Sequence, residues 1–585
     1  MRSLTFGILA ALTAACTAGF SAAKTTHLTF RGTGSIHSSA GSRVETSFET
    51  RQGPAVDAAF NRQVSGTVSP ARVPADHVPK PAASSIGAAG SGFSGFQGIS
   101  HLDQRLASNG NQFSIEPPDQ ALAIGNNFVL ESVNLAIAVY DTAGTQLGIT
   151  SLNEFFGLPD AIVRGTTPVY GPFLSDPRAY FDAPTRRWFV TILEIDTNPA
   201  TGDLLGHSSV LIAVSQTGSP MGAFNIYALD TTNAGHPGCP CFGDQPLIGA
   251  DNYGFYVTTN EFPITGPGFN GAQIYAVSKT ALENALPAVV VAFEGPPLAE
   301  GISYSVQPAT TPPGGNFESI NGGTEYFMSA LDFNSTLDDR IAVWALTNTQ
   351  SLNTATPSLQ LQSVVVASQV YGLPPVMQQK PGPTPLADLL KMKGNPLGVV
   401  TNEHLELIDG DDDRMQQVVF AAGSLWTSLG TVVKPPNGPV RVGAAWFIVT
   451  PSWSGSTLGA TMTNQGYVAA NQNNLAYPAI GVNALGKGVM TFTLAGPDYY
   501  PSAAFATLDK VSGTGPIQIA AAGAGPDDGF TGYGAFGGRV GRWGDYAAAV
   551  ADTDGSIWVA VEYIPGGART VLANWGTFVS RVVVH

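Results

Sequence analysis

One unit recurs seven times along this chain, and no other feature limits its fold so severely. A polar cluster leads into a short apolar run, a turn rich in Asp, Asn or Gly follows, and a strand with alternating bulky residues ends in an acid or amide. The sharpest copies are PPDQALAIGNNFVLESVN from Pro117, SDPRAYFDAPTRRWFVTILE from Ser175, FGDQPLIGADNYGFYVTTNE from Phe242 and GRWGDYAAAVADTDGSIWVAVEY from Gly541. Looser copies begin at Ser305, Asp411 and Asn473. Leading polar residues at positions 119, 176, 244, 307, 413, 477 and 545 recur every 57 to 68 residues, with one interval of 106. Repeats of this length mark a radial or stacked array.

Each hairpin is followed by a third apolar run, from AIAVYD in the first copy to FVSRVVV in the last, and most by a fourth, such as NIYALD or AVVVAFEG. The expected fold is therefore all-β, a seven-bladed β-propeller of four-stranded blades. The seventh copy lacks a fourth run before the chain stops at His585. An unpaired third strand would leave an exposed edge, so residues 91–100, SGFSGFQGIS, are expected to pair beside it and close the ring. The long interval holds a Pro-rich insertion at about 366–405, with LADLLKMK as a short helix. Trp188, Trp426 and Trp558 recur early in second strands and are expected in the core between blades.

The ends of the chain read differently. Residues 1–23 place Arg2 ahead of an apolar run and close on Ser21-Ala22-Ala23, the pattern of a signal peptide cleaved near Ala23. A lipoprotein would use Cys16, but Thr13 stands where its motif has Leu, so a secreted or periplasmic protein is expected. Residues 24–90, of low complexity and poor in large apolar groups, read as a flexible or extended leader, and residues 91–585 as the propeller. No later apolar run is long enough to span a membrane. A net charge of −16 argues against nucleic acid as partner.

Chemistry is sought where the propeller gathers side chains. The start of the first strand and the end of the second share one face of each blade, so Asp119, Asp176, Asp244, Asp413 and Asp545 are expected around one channel mouth. Arg178, Arg414 and Arg542 stand beside them, and Glu131, Asn134, Glu194, Asn260, Glu261, Asp332 and Glu562 come from the ends of second strands. Paired carboxylates can cleave a glycosidic bond, and Asp119, Asp176, Asp244, Asp545 and Glu562 are the catalytic candidates. Arg178, Asn260, Glu261, Arg414, Arg542 and Tyr546 are the ligand-binding candidates. The DGDDDR segment spaces Asp409, Asp411 and Asp413 like a calcium loop, without its Gly or terminal Glu. Against all of these stands a structural role, an Asp capping backbone N–H groups or pairing with Arg between blades. The aromatics of GFTGYGAFGG and Tyr499-Tyr500 are loop anchors or sugar-stacking groups.

Cys239 and Cys241 are expected to be either a small local disulfide, which an oxidising compartment permits, or a pair of buried thiols. A metal held by His236 with both thiolates would lack the fourth donor of the usual spacing. Nucleophile elbows, HExxH and P-loop motifs are absent.

The motifs Ser175-Asp176-Pro177-Arg178, YGFYVTTNEF at 253–262, NLAYP at 474–478 and Arg542-Trp543-Gly544-Asp545-Tyr546 resemble a group of exported bacterial β-propeller proteins with no assigned reaction, over about residues 110–585. A wider resemblance, to sialidase-like propellers, keeps only Gly555 and Trp558 of the Asp-box, and no catalytic role is carried over from it. The functional expectation is an exported propeller binding a glycan, protein or cell-envelope ligand at the channel mouth, with Ca²⁺ as candidate cofactor. The alternative is a polysaccharide hydrolase or lyase using paired carboxylates there.

Overall fold

The computed structural model describes residues 23–37, 73–331, 337–436 and 438–584. The expected signal segment, Cys16, most of the leader and Asp332 lie outside the described residues. The structure is mostly β, and no helix among the described residues is long and apolar enough to cross a membrane.

The strands form four-stranded antiparallel groups in chain order. The first sheet is Ala121–Gly125, Phe128–Val133, Ala136–Asp141 and Gln146–Ser151. The second is Phe173–Asp182, Arg187–Thr197, Leu204–Ser215 and Ala223–Asp230, and the third is Cys241–Ala250, Gly254–Pro263, Ala272–Ser278 and Val289–Glu294. The fourth is Gln307–Thr310, Thr324–Ala330, Leu337–Thr347 and Gln360–Gly372, and the fifth is Gln417–Ala421, Ser424–Val433, Arg441–Ser454 and Thr457–Val468. The sixth is Asn474–Val482, Lys487–Ala495, Ser502–Asp509 and Ile517–Ala521. The seventh takes Ala548–Ala551, Ile557–Tyr563 and Gly576–Val582 from the C-terminal end and Phe93–Ser100 from the N-terminal side, antiparallel to Gly576–Val582.

Short strands rich in Val, Ile, Ala and aromatics bury both faces here, because each sheet packs against the next. Trp188 is fully buried between the first and second sheets, with Phe181, Leu130 and Val139. Trp426 lies between the fifth and sixth sheets. Trp558 belongs to a cluster that joins the seventh sheet to the first, with Leu122, Val129, Ala560 and Val579. Similar clusters link the second to the third sheet, the third to the fourth, the fourth to the fifth and the sixth to the seventh. The first strands of the third, fourth and fifth sheets are bridged in parallel, Ala250 with Thr310 and Thr310 with Val419.

Parts of the leader are extended strands, since Lys24–His27 pairs with Val289–Glu294, Thr29–Ser35 with Ala223–Asp230, and Ile86–Ala88 runs parallel to Ile517–Ala521. These segments complete outer edges through backbone hydrogen bonds, which require few large apolar side chains and so leave little trace in composition. The insertion begins later than expected, because the fourth sheet's last strand continues to Gly372. Its helix, Pro385–Lys391, buries Leu386, Ala387 and Leu390 against Leu405, Phe530, Tyr533 and Leu572. Phe530 and Tyr533 of GFTGYGAFGG are thus anchors for the insertion.

The joint between the chain's two ends is tight at Gly98. Glu131 accepts a hydrogen bond from the Ile99 N–H at 3.0 Å and another from the Thr577 hydroxyl, joining the first sheet to both strands of the joint. A methyl group on Gly98 would fall inside contact distance of the Glu131 carboxylate and the Thr577 hydroxyl. Gly98→Ala is expected to lower stability by about 1–3 kcal/mol in urea or thermal denaturation. Gly87→Ala, with nothing within 4 Å of the new carbon, is expected to stay within about 0.5 kcal/mol of the parent.

Candidate functional site

Where the hairpins begin, the backbone turns left-handed at one residue per repeat. Asp119, Asp176, Gln245, Ser305, Asp411, Tyr477 and Gly544 have φ values of 50°, 61°, 51°, 43°, 63°, 55° and 39°. A residue with a side chain held this way costs on the order of 1–3 kcal/mol, so the surroundings must hold it there. In three repeats the left-handed residue precedes a proline, as Asp176-Pro177, Gln245-Pro246 and Tyr477-Pro478, and the pairing register slips there. The result is a bulge that turns the leading side chain and its N–H toward the neighbouring sheet.

Side chains of adjacent sheets capture those N–H groups. Asn134 Oδ1 accepts from Asp176 N at 2.8 Å, Asp176 Oδ2 from Gln245 N at 3.1 Å, and Asn260 Oδ1 from Ser305 N at 2.8 Å. Asp119 Oδ1 accepts from Asp545 N at 2.6 Å, joining the first sheet to the approach of the seventh, and Asp119 Oδ2 accepts from Asn134 Nδ2 at 2.6 Å. Carboxylate oxygens of Asp119, Asp176 and Asp545 all lie within 4.8 Å of one another. Asp119 and Asp176 are buried, while the Asp545 side chain is 26% exposed and pairs with Arg542 at 3.2 Å.

Below this triad the Arg178 guanidinium lies 3.4 Å from the centre of the Tyr546 ring, and the Tyr546 hydroxyl donates to Pro177 O at 2.8 Å. Both ligand-binding candidates are therefore occupied with each other. Arg178 lines a narrow cavity of about 80 Å³ whose walls include Ala123, Ile248, Gln307, Val419, Gly481 and Ala549, at least one residue from each sheet's first strand. Small-molecule pockets measure roughly 300–1,000 Å³, so this passage is too small for a sugar.

The insertion returns over the mouth as Asp409–Arg414. Arg414 donates to Asp412 through Nε and Nη2, at 2.7 Å each, and to Gln245 Oε1 at 2.7 Å, and the Tyr304 hydroxyl donates to Asp412 at 2.6 Å. Asp409, Asp411 and Asp413 do not converge as a calcium loop would. Asp409 accepts from the Asp411 N–H, Asp411 accepts from Gln416 Nε2, and Arg414 takes Asp412, which sequence spacing did not single out. Without the loop's Gly and terminal Glu, the segment folds onto its own arginine.

The other expected members take different places. Asp244 pairs in register with Asn260, because prolines rather than acids align the second and third repeats, which makes Gln245 the counterpart of Asp176. Glu261 follows Asn260 on the same strand and points the other way. There it meets His236, Asn270 and the disulfide that joins Cys239 to Cys241. Glu131 belongs to the joint described above, and Glu194 pairs in register with Leu174. Glu562 is buried, and its Oε2 atom has no hydrogen-bond partner.

Beside Glu562 stand two acids that sequence reasoning missed, Glu116 and Asp527. Glu116 Oε2 accepts from Thr531 N and Oγ1 at 3.1 and 2.9 Å, and Gln379 of the insertion clasps the Asp527 backbone on both its N–H and C=O. The doublet Asp527-Asp528 was visible, but it falls between hairpins and belongs to no repeat position.

The carboxyls here resist ionisation. Burial, and then Asp545, pushes Asp176 up to about 6, while burial with Asp545 and Asp176 pushes Asp119 well above the carboxylate range. Burial also raises Asp409, Asp411 and Glu562. Asp527 rises to about 7 through burial and Asp528, and Glu131 to about 7 through burial. Burial lowers the pKa of Arg178.

The sequence matches no family model and no curated protein. Among solved structures, a Trypanosoma rangeli sialidase aligns over 84% of this chain and 60% of its own, with 9% identity and a TM-score of 0.33. The chain thus covers less than two thirds of that enzyme's length. A phage phi92 endosialidase aligns over 80% and 67%, with 9% identity and a TM-score of 0.28. An exo-β-1,3-galactanase from Clostridium thermocellum aligns over 74% and 97%, with 9% identity and a TM-score of 0.25.

Raised carboxyl pKa values make the native state bind more protons than the unfolded chain between about pH 4 and 7. Stability then falls as pH rises through that window. In the presence of a chelator, the melting temperature is expected to decline from pH 5 to pH 8. Thermal melts across a pH series check it, and a rising melting temperature would count against the protonated cluster.

Proposed function

We propose that the chain is an exported seven-bladed β-propeller of the bacterial group it resembles, and that its mouth binds calcium and, through it, an oxygen-rich ligand such as a glycan or an envelope protein. The ring reading is supported by the apolar clusters between successive sheets, by the cluster joining the seventh sheet to the first, and by the pairing of Phe93–Ser100 with Gly576–Val582. The segment ending near Ala23 supports export.

The observation that carries the binding reading is the meeting of Asp119, Asp176 and Asp545, from three parts of the chain, within 4.8 Å. The three side chains offer carboxylate oxygens alone, which suits a hard cation that takes oxygen ligands and not zinc. Calcium there would neutralise charge that Arg178 and Arg542 leave uncompensated. Positions not filled by protein would be open to ligand oxygens from the Asp545 and Arg542 side, where the site is partly exposed.

Hydrolysis is the weaker reading. Asp119 and Asp176 are 2% and 4% exposed and hold neighbouring N–H groups, so they are committed to joining sheets and not presented to a scissile bond. Calorimetric titration of the metal-stripped protein is expected to show one calcium site. The site should weaken at least tenfold in Asp176→Asn, which keeps an acceptor for Gln245, with the fold verified by circular dichroism. A glycan and envelope-extract panel is expected to give calcium-dependent binding without turnover. Polysaccharide turnover that disappears in folded Asp176→Ala would reverse the assignment.

A further inference from the structure

On the third sheet a second group of donors surrounds the disulfide, away from the mouth acids. The loop at 231–240 carries His236 and Cys239, Cys241 opens the first strand of that sheet, and Glu261 lies near the end of the second. Both sulfurs and a Glu261 oxygen lie within 4.8 Å of one another. The Glu261 side chain is fully buried, and its Oε1 atom is 2.7 Å from His236 Nδ1. On the far side of the imidazole, Nε2 lies 3.2 Å from Glu294 Oε2. Asn270 Nδ2 is 2.8 Å from Glu261 Oε1 and 3.7 and 3.6 Å from the two sulfurs.

The buried carboxylate and the imidazole are held in place by each other, by Asn233 and Asn270 and by Glu294, and so present an oxygen and a nitrogen beside the two sulfurs. We propose that Cys239, Cys241, Glu261 and His236 form a thiol-gated zinc site, blocked while the two cysteines are bonded to each other and opened when a dithiol reduces them. Two thiolates, one imidazole and one carboxylate are the donors of a four-coordinate zinc centre. Glu261 supplies the fourth donor that spacing alone did not reveal. Glu294 stands where a carboxylate orients a metal-bound imidazole, on the ring nitrogen opposite the one facing the site. Soft sulfur donors separate this site from the all-oxygen mouth.

Access sets the order of the redox step. Cys239 is half-buried and Cys241 fully buried. A thiolate of the dithiol bonds to Cys239 Sγ, the Cys239–Cys241 bond breaks, and Cys241 leaves as a thiolate beside the Asn270 amide. The second thiol of the reductant then displaces Cys239. The dithiol departs as a cyclic disulfide, having given two electrons and two protons to the protein. Zinc binding releases those two protons and keeps both sulfurs as thiolates.

Cobalt(II) titration of the full chain tests this, with Cys16→Ser introduced to remove the third thiol and a phosphine as reductant. Reduced protein is expected to bind about one equivalent more than oxidised protein, with a thiolate-to-cobalt charge-transfer band and a tetrahedral visible spectrum, both displaced by zinc. Cys241→Ser should abolish the band, and Glu294→Gln should weaken binding by about 10–100-fold with the band retained. Far-ultraviolet circular dichroism verifies that each variant is folded. Equal cobalt uptake by oxidised and reduced protein, extra uptake without the thiolate band, or a band that survives in Cys241→Ser would each overturn the proposal.

Discussion

The backbone N–H of a left-handed residue, captured by a side chain of the preceding sheet, is the contact on which the mouth depends. Asn134 holds Asp176, Asp176 holds Gln245 and Asn260 holds Ser305, while Asp119 of the first sheet takes the N–H of Asp545, the residue after the left-handed Gly544. Each of the first three bonds satisfies a buried donor and fixes a conformation that the chain would otherwise avoid. Apolar packing between sheets supplies most of the stability but is tolerant of small slides. Directed bonds at the mouth set how far each first strand advances, and so bring Asp119, Asp176 and Asp545 to one point.

That arrangement concentrates negative charge in a low-dielectric place. Arg178 is spent on the Tyr546 ring and its neighbouring acids, Arg542 on Asp545, and Arg414 on Asp412 and Gln245. Arg414 also reaches Asp411 at 3.6 Å, which leaves Asp119, Asp176 and Glu562 with protons or a cation as the main means of neutrality. The insertion adds to the isolation, with Gln379 on Asp527 and the Asp409–Arg414 segment beside the triad. Structural ties and ligand binding are therefore not rival descriptions of these acids. One oxygen of Asp119 holds the Asp545 backbone while the carboxylate remains part of the group of three.

The repeat was legible because each copy must bury both faces of its strands and turn at a fixed place, which imposes pattern on the hairpins from Asp119 to Glu562. The buried tryptophans and the pairing of residues 93–100 with the last strand follow from that same constraint. Register at the mouth was not legible, because acids were aligned with acids while the structure aligns prolines, and Asp244 gave way to Gln245. The outer strands at Lys24–His27 and Thr29–Ser35 were hidden because backbone hydrogen bonds leave no apolar signature. Glu116 and Asp527 were hidden because they come from connections that obey no period. Glu261 was seen, but alternation along its strand sends it to His236 and the disulfide, a partnership that sequence separation concealed.

The account stands or falls on whether the buried acids give up protons to a cation. The direct measurement is a pH-stat titration of the unbuffered, metal-stripped protein with calcium near pH 6, where Asp176 is about half protonated. The account predicts release of about one proton or more per chain, saturating with calcium binding. Calcium binding with no proton release, or no binding at all, would contradict it.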